Sequence, residues 1–157
     1  MSKVPKVNFS LLETLAHFSH FIVIVENMEE LFGSYSPTVL DHLKHPRNMG
    51  EMENPDGVGE AQNPVCGDTM RLFIKVERDR IIEATFLTFG CGGAIASSSM
   101  TTEMIKGKTI EEALTISDQV IAKALGGLPP TKAHCSTLSE KAIQAAVLDY
   151  RKKKGPR

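Results

Sequence analysis

The stretch TMRLFIKVERDRIIEATFLTF, residues 69–89, decides the fold. In its first half Met70, Leu72, Ile74 and Val76 alternate with Arg71, Phe73, Lys75 and Glu77, the period of two that turns one face of a strand inward. The polar RDR supplies a turn. IIEATFLTF, rich in β-branched and aromatic residues, then returns as the second arm of a hairpin, and GVGEAQN at 57–63 offers a third strand. Upstream, Ser36 is placed to cap a helix with Pro37 at its first position, running through TVLDHLKH until Pro46 stops it. Downstream the chain reads as helical. GGAIASSSMTTEMIKG ends at the glycine stop Gly107, and Thr109 to about Leu125 gives two short helices broken near Ser117. The last helix is expected to begin after Cys135, where Thr137 and Glu140 have capping-box spacing. Its inner stripe is Ile143, Ala146, Val147 and Tyr150, and it ends at Gly155. Strands followed by helices predict an α+β domain, with helices packed on one face of a small antiparallel sheet of about three strands. No internal repeat interrupts it.

Length and charge narrow the function. The chain has 157 residues, 41% of them hydrophobic, enough for one domain of ordinary size. We divide it into an arm, residues 1–33, a domain, 34–154, and a tail, 155–157. For the arm, a short helix, a disordered segment and an upstream start ahead of a chain beginning near Met28 all fit, and no function is assigned to it. Lys and Arg number 18 against 19 Asp and Glu, so no net field favours nucleic acid or an anionic membrane, and the terminal RKKKGPR reads as solvated. The apolar run FIVIV is far short of the roughly 20 residues that span a bilayer. No targeting signal is read, and three unpaired-looking cysteines point to the cytoplasm.

Metal-ligand side chains fall at three separate places, each a junction between elements: Cys66 with Asp68, then Cys91, then His134 with Cys135. A thiol near a helix N-terminus meets unpaired N–H groups and the positive end of the dipole, which favour the thiolate. Gly90, Gly92 and Gly93 let backbone approach whatever Cys91 holds. One such cysteine reads equally well as a small buried hydrophobe; three at junctions, none inside an apolar stripe, do not. Three thiolates suit zinc or an iron–sulfur cluster and are wrong for magnesium or calcium. A [2Fe–2S] cluster held by protein thiolates usually takes four cysteines. With three, the remaining ligand must be Asp68, His134 or an outside group, each more exchangeable than a thiolate. Such a site suits a cargo that is held and then released. His17, His20, His42 and His45 read as ordinary polar residues, and Lys132 as solvated, although beside Cys135 it can also steady a thiolate.

The segments NPVCGDTM, GCGGAIASSSM, GGLPPTKAHC and LDHLKHPRNMG, in that family's order, resemble the IscU iron–sulfur cluster assembly scaffolds and are similar to the N-terminal domain of NifU, over about residues 35–154. The resemblance implies a scaffold, not an enzyme, that builds a [2Fe–2S] cluster and passes it to apo-proteins. It implies Cys66, Cys91 and Cys135 as cluster ligands, Asp68 and His134 as alternates for the fourth place, and Asp68 as the source of lability. Cys135 matches the acceptor of persulfide sulfur from a cysteine desulfurase, with Lys132 as an auxiliary. Leu128, Pro129, Pro130, Thr131 and Lys132 match a motif recognised by a DnaK-type chaperone with its J-domain partner. An iron donor is also implied. Gly93 departs from the serine of many relatives, which is expected to loosen the following helix. The closest rival is a zinc-binding sulfur-transfer protein of the SufU type. That pattern has an insertion between its second and third cysteines and lacks both the His-Cys pair and the LPPxK segment. A cysteine-nucleophile enzyme is disfavoured, because adjacent side chains such as His134 and Cys135 usually diverge.

Overall fold

In a computed structural model of the chain the structure describes residues 33–156. Tyr35–Arg157 makes up one compact unit. Three strands, β1 (Gly57–Gln62), β2 (Thr69–Glu77) and β3 (Arg80–Phe89), form an antiparallel sheet in the order β1-β2-β3. The alternation read from the sequence sets the faces: Met70, Leu72 and Ile74 are buried against the helices. Glu77 pairs with Arg80 across a two-residue turn in which Arg78 and Asp79 both take left-handed backbone, φ 50° and 61°, the twist that suits a tight hairpin. The pairing slips after Lys75: Lys75 meets Glu83 while Val76 meets Ile81, so Ile82 bulges outward and is exposed.

Among the described residues five α-helices precede or follow the sheet: α1 (Pro37–Lys44), α2 (Gly92–Ile105), α3 (Ile110–Leu114), α4 (Asp118–Ala124) and α5 (Ala133–Lys154). Ser36 caps α1 as expected, its Oγ accepting from the Val39 N–H at 3.1 Å, and its hydroxyl donates to the Leu125 carbonyl at the end of α4. The two short helices start at caps Thr109 and Ser117, and Thr109 forms a full capping box with Glu112.

The start of α5 corrects the sequence reading. It begins at Ala133, directly after a single 3-10 turn, Pro130–Lys132, so Cys135 lies inside its first turn instead of ahead of it. Pro129 and Pro130 fix their own φ near helical values, and the Lys132 N–H already closes on the Pro129 carbonyl at 2.8 Å. Thr137 and Glu140 do not cap α5. Glu140 Oε2 accepts from the Asp118 N–H at 2.8 Å and Thr137 Oγ1 donates to Asp118 Oδ2 at 3.1 Å. The pair therefore clamps the first turn of α4 from outside.

Helix α5 runs along β1 at backbone contact. A Cβ on Gly59 would lie 2.2 Å from the Ala142 carbonyl oxygen, and one on Gly57 2.4 Å from that of Ala146. Glycine there is a packing requirement. Along the same helix Ala142, Ile143, Ala146 and Val147 enter the core with Leu72, Ile74 and Phe86. Helix α2 packs against β3, α1, α4 and α5, and buries Ala94, Ala96, Ser97, Ser98, Ser99, Thr101 and Thr102. Thr101 and Thr102 satisfy their hydroxyls by donating back to the Ser97 and Ser99 carbonyls, each at 2.7 Å.

Both sheet edges carry main-chain or side-chain partners. Beside β3, the Ile81 N–H donates to the Lys108 carbonyl and the Gly107 N–H to the Ile81 carbonyl, while the Phe86 N–H donates to the Asn48 carbonyl. Beside β1, the Val58 N–H donates to Asp149 Oδ2 of α5 at 2.8 Å.

Candidate metal centre

Three segments meet at one end of the sheet. The turn after β1 carries Cys66 and Asp68, the end of β3 delivers Cys91 as the N-cap of α2, and the first turn of α5 presents His134 and Cys135. Gly67 takes φ +76°, which reverses the chain between Cys66 and Asp68. Exposure falls across the site: Cys66 is exposed, Cys91 and His134 are half-buried, and Asp68 and Cys135 are buried. Cys91 Sγ lies 3.4 Å from Asp68 Oδ2 and 3.5 Å from Cys135 Sγ. His134 Nε2 lies 3.9 Å from the same Asp68 oxygen.

The two inner thiols titrate as a pair. The Cys135 thiol donating to Cys91 brings the Cys91 thiol down to about 6, helped by the Ala94 N–H at the helix start and opposed by burial and the Asp68 carboxylate. The same hydrogen bond, followed by burial, pushes the Cys135 thiol up. One thiolate, on Cys91, and one retained proton, on Cys135, describe the metal-free pair. Lys132, read as solvated, is half-buried beside Cys91, and its ammonium is held charged chiefly by that thiolate.

The fit to a soft metal rests on an atom without a partner. His134 Nε2 is buried and makes no hydrogen bond, although a buried imidazole nitrogen ordinarily finds one. It faces the Asp68 carboxylate from beyond hydrogen-bond range, where a bound cation would satisfy both. Donor atoms gather in two triplets, Cys66 with Asp68 and His134, and Asp68 with Cys91 and Cys135, with every pair inside a triplet within 4.8 Å. All five ligand candidates named from the sequence thus lie together. His42, read as an ordinary polar residue, is buried away from them, with Nδ1 2.8 Å from Ser99 Oγ.

The structure adds Tyr35, which the sequence reading passed over. Its phenol is pushed up first by burial and then by the Cys91 thiolate, and it takes a hydrogen bond from the Gly93 backbone. Its only sequence signal is its place just ahead of the Ser36 cap. Gly93 leaves room for this contact. A Cβ there would stand 3.1 Å from Cys135 Sγ and 3.5 Å from Tyr35 Oη, so the departure from serine opens space at the sulfur. Helix α2 nevertheless starts at Gly92 and runs unbroken to Ile105.

Of the segment read as a chaperone motif, Pro130 and Thr131 are exposed, Lys132 turns to Cys91, and Leu128 packs partly buried against the core. No helix among the described residues is long and apolar enough to cross a membrane.

Comparison with known proteins places the chain among relatives of one family. The chain is 56% identical over 121 residues to iron–sulfur cluster assembly scaffold protein IscU 1 of Archaeoglobus fulgidus, covering 77% of this chain and 79% of that one. It is 56% identical over 126 residues to the scaffold protein IscU of Azotobacter vinelandii, covering 78% and 98%. A crystal structure of a candidate SUF-system scaffold, FiSufU of Fervidobacterium islandicum, superposes with a TM-score of 0.62 at 26% identity, covering 74% of this chain and 98% of that chain. The NifU-like N-terminal domain matches residues 34–156, and the chain is a member of that family.

Proposed function

We propose that this protein is a scaffold on which an iron–sulfur cluster, a [2Fe–2S] unit, is assembled and then surrendered to apo-proteins. The observation that carries the reading is the convergence of three thiols, one carboxylate and one partnerless imidazole nitrogen at one end of the domain. The relatives named as cluster assembly scaffolds support it.

Sulfur arrives in this reading from a cysteine desulfurase. A Cys135 thiolate attacks the outer sulfur of the donor's persulfide, a new S–S bond forms on Cys135, and the desulfurase cysteine leaves as its thiolate. Reducing that sulfur to sulfide takes two electrons from an external reductant, and iron comes from a separate donor. Cys135 is fully buried against Cys91 and keeps its proton, so acceptance requires the Cys91–Cys135 contact to open. Lys132, beside the pair, is placed to steady the thiolate that opening creates. Cys66, Cys91 and Cys135 hold the cargo, with Asp68 or His134 in the fourth place. A carboxylate there adds one negative charge that neutral imidazole does not, and an extra charge in a half-buried site is costly, so exchange between the two favours release. The exposed Pro130 and Thr131, held in the 3-10 turn that Pro129 leads into, offer a DnaK-type chaperone a short rigid segment three to five positions ahead of His134 and Cys135.

A second reading has an observation of its own. The likeness to a SUF-system scaffold structure favours a zinc site used in sulfur transfer, and the same donors satisfy tetrahedral Zn²⁺. Anaerobic reconstitution with iron, cysteine and a desulfurase separates the two. Mössbauer spectra showing a ferric pair support the scaffold; zinc retention with no ferric pair refutes it.

A further inference from the structure

The end of the domain away from the candidate ligands has a charge of its own. Over residues 33–156 basic and acidic side chains balance, 15 of each, but they are not spread evenly. The turn between β2 and β3, the loop from α2 to α3 and the last two turns of α5 meet at that end. The Ile110 N–H donates to the Asp79 carbonyl, and Lys154 Nζ binds Asp79 Oδ1 at 3.1 Å. Residues 77–80, 106–112 and 149–155 together carry eight cations against five carboxylates, leaving seven against ten elsewhere. Basic residues in a last turn offset the helix dipole, which accounts for Arg151 to Lys154. It does not account for Arg78 and Lys108, which reach the same end on other elements. These two and Lys152 are exposed, and their side chains make no ion pair or hydrogen bond with another described residue.

Between these elements lies a groove of about 800 Å³, to which Ile110, Tyr150 and Pro156 give an apolar lining. Asp79 and Glu111 stand along it, tied to Lys154 and Arg151. We propose that this groove is a docking site for an extended acidic segment of a partner protein, whose carboxylates meet Arg78, Lys108 and Lys152 while an apolar side chain enters against Ile110 and Tyr150. Charge complementarity and the mixed signs of the groove select that occupant. A phosphate backbone needs a continuous positive track, which Asp79 and Glu111 interrupt. A flat anionic bilayer cannot reach a concave lining. Along α5, at 1.5 Å per residue, Lys152 lies about 25 Å from Cys135. A partner docked here therefore leaves the ligand end uncovered, and the protein can be held at one end while the other is served.

Fluorescence anisotropy of a labelled glutamate-rich peptide with one central leucine, added to the metal-free full chain, tests this. Binding is expected to saturate at one peptide per chain and to weaken at least tenfold as ionic strength rises from about 0.05 to 0.5 M. The glutamine counterpart of the peptide should not bind. Arg78→Glu, Lys108→Glu and Lys152→Glu made together should weaken binding at least tenfold. Lys44→Glu, Lys123→Glu and Lys141→Glu together change the net charge equally at exposed positions elsewhere, and should weaken it less than twofold. Lys152→Glu alone against Lys123→Glu alone repeats the comparison with one solvated side chain each, should either triple variant fail to fold. No saturable binding, or an equal loss from both sets of substitutions, overturns the proposal. Tighter binding of a single-stranded RNA oligonucleotide or of phosphatidylserine vesicles than of the peptide overturns the choice of occupant. The protein is metal-free throughout, so each outcome is distinct from success or failure of cluster reconstitution.

Discussion

Replacing Gly59 by alanine should test whether the helix–strand contact holds the metal centre together. The added Cβ would sit 2.2 Å from the Ala142 carbonyl oxygen, 2.3 Å from the Ala146 nitrogen and 2.9 Å from the Ala146 Cα. All three are backbone atoms, so no side chain can rotate aside. Relief requires α5 and β1 to separate by about 1 Å, since comfortable heavy-atom contacts begin near 3.5 Å. Overpacking of this kind costs about 1–3 kcal/mol, and the rigid obstacle places Gly59→Ala near 3. Lower entropy of the unfolded chain offsets about 0.5 kcal/mol. With a urea slope of about 1–2 kcal/mol per molar, the unfolding midpoint should fall by about 2 M at unchanged slope. The same shift moves His134 and Cys135, on α5, away from Cys66 and Asp68, on the turn after β1. Zinc affinity, measured by competition with a chromophoric chelator, should fall at least tenfold. Gly107→Ala is the control: open space surrounds it, it is not beside a candidate ligand, and its φ of +80° costs only the ~1 kcal/mol of a left-handed alanine. A Gly59→Ala unfolding free energy within about 0.5 kcal/mol of the parent would refute the packing argument. Lost stability with unchanged zinc affinity would sever the link between contact and site.

The thiolate absorbance of the metal-free protein near the far-ultraviolet edge should disappear on acidification with a midpoint near pH 6, the value to which Cys91 is lowered. Cys135→Ala removes the principal hydrogen bond to that thiolate and should move the midpoint upward; an unmoved midpoint would discard the pairing. Burial, then the Arg47 charge, holds His42 below its ordinary range, so the unfolded chain binds a proton that the folded one refuses. Stability should therefore fall as pH drops below the ordinary histidine value until His42 itself protonates, and His42→Gln should flatten that slope in urea melts across the same window. Thr109→Ala should cost about 1 kcal/mol through loss of the α3 capping box, read as a urea-midpoint shift without change in metal stoichiometry. Asp68→Ala should lengthen the survival of a reconstituted cluster in air, followed by its visible absorbance; an equal or shorter lifetime rules out Asp68 as the release ligand.

Much of this architecture was written in local patterns. The period of two over residues 69–77 set the inward face of β2, and Ser36, Thr109 and Ser117 marked helix starts that the structure keeps. The candidate ligands drew notice in the sequence because each cysteine stands at or near a junction, where a purely apolar role has least to recommend it, and the structure brings their donor atoms together. Other features depended on distant neighbours. Thr137 and Glu140 have the spacing of a cap, yet their partner is Asp118 on another helix, and only tertiary structure reveals it. Helix α2 has no amphipathic stripe because neighbours on several sides bury small polar residues as well as alanines. Gly57 and Gly59 fall in the segment read as a third strand, but no local pattern shows that they form the groove in which α5 lies. Tyr35 offered only its place ahead of the Ser36 cap, and its position at the candidate metal centre follows from the course of the chain into α1.

The covered flanks of the sheet bear on how such a protein survives its own work. A carrier must loosen the end of the domain that holds its cargo, and a small sheet that loosens can recruit strands from its neighbours into aggregates. Here the β3 flank is occupied by the main chain of residues 107–108 and 48, and the β1 flank has its Val58 N–H bound by Asp149. These seals lie away from the turns that carry the candidate ligands, Asp149 standing about four turns along α5 from Cys135, so thiols can be uncovered without baring a template for intermolecular β-pairing.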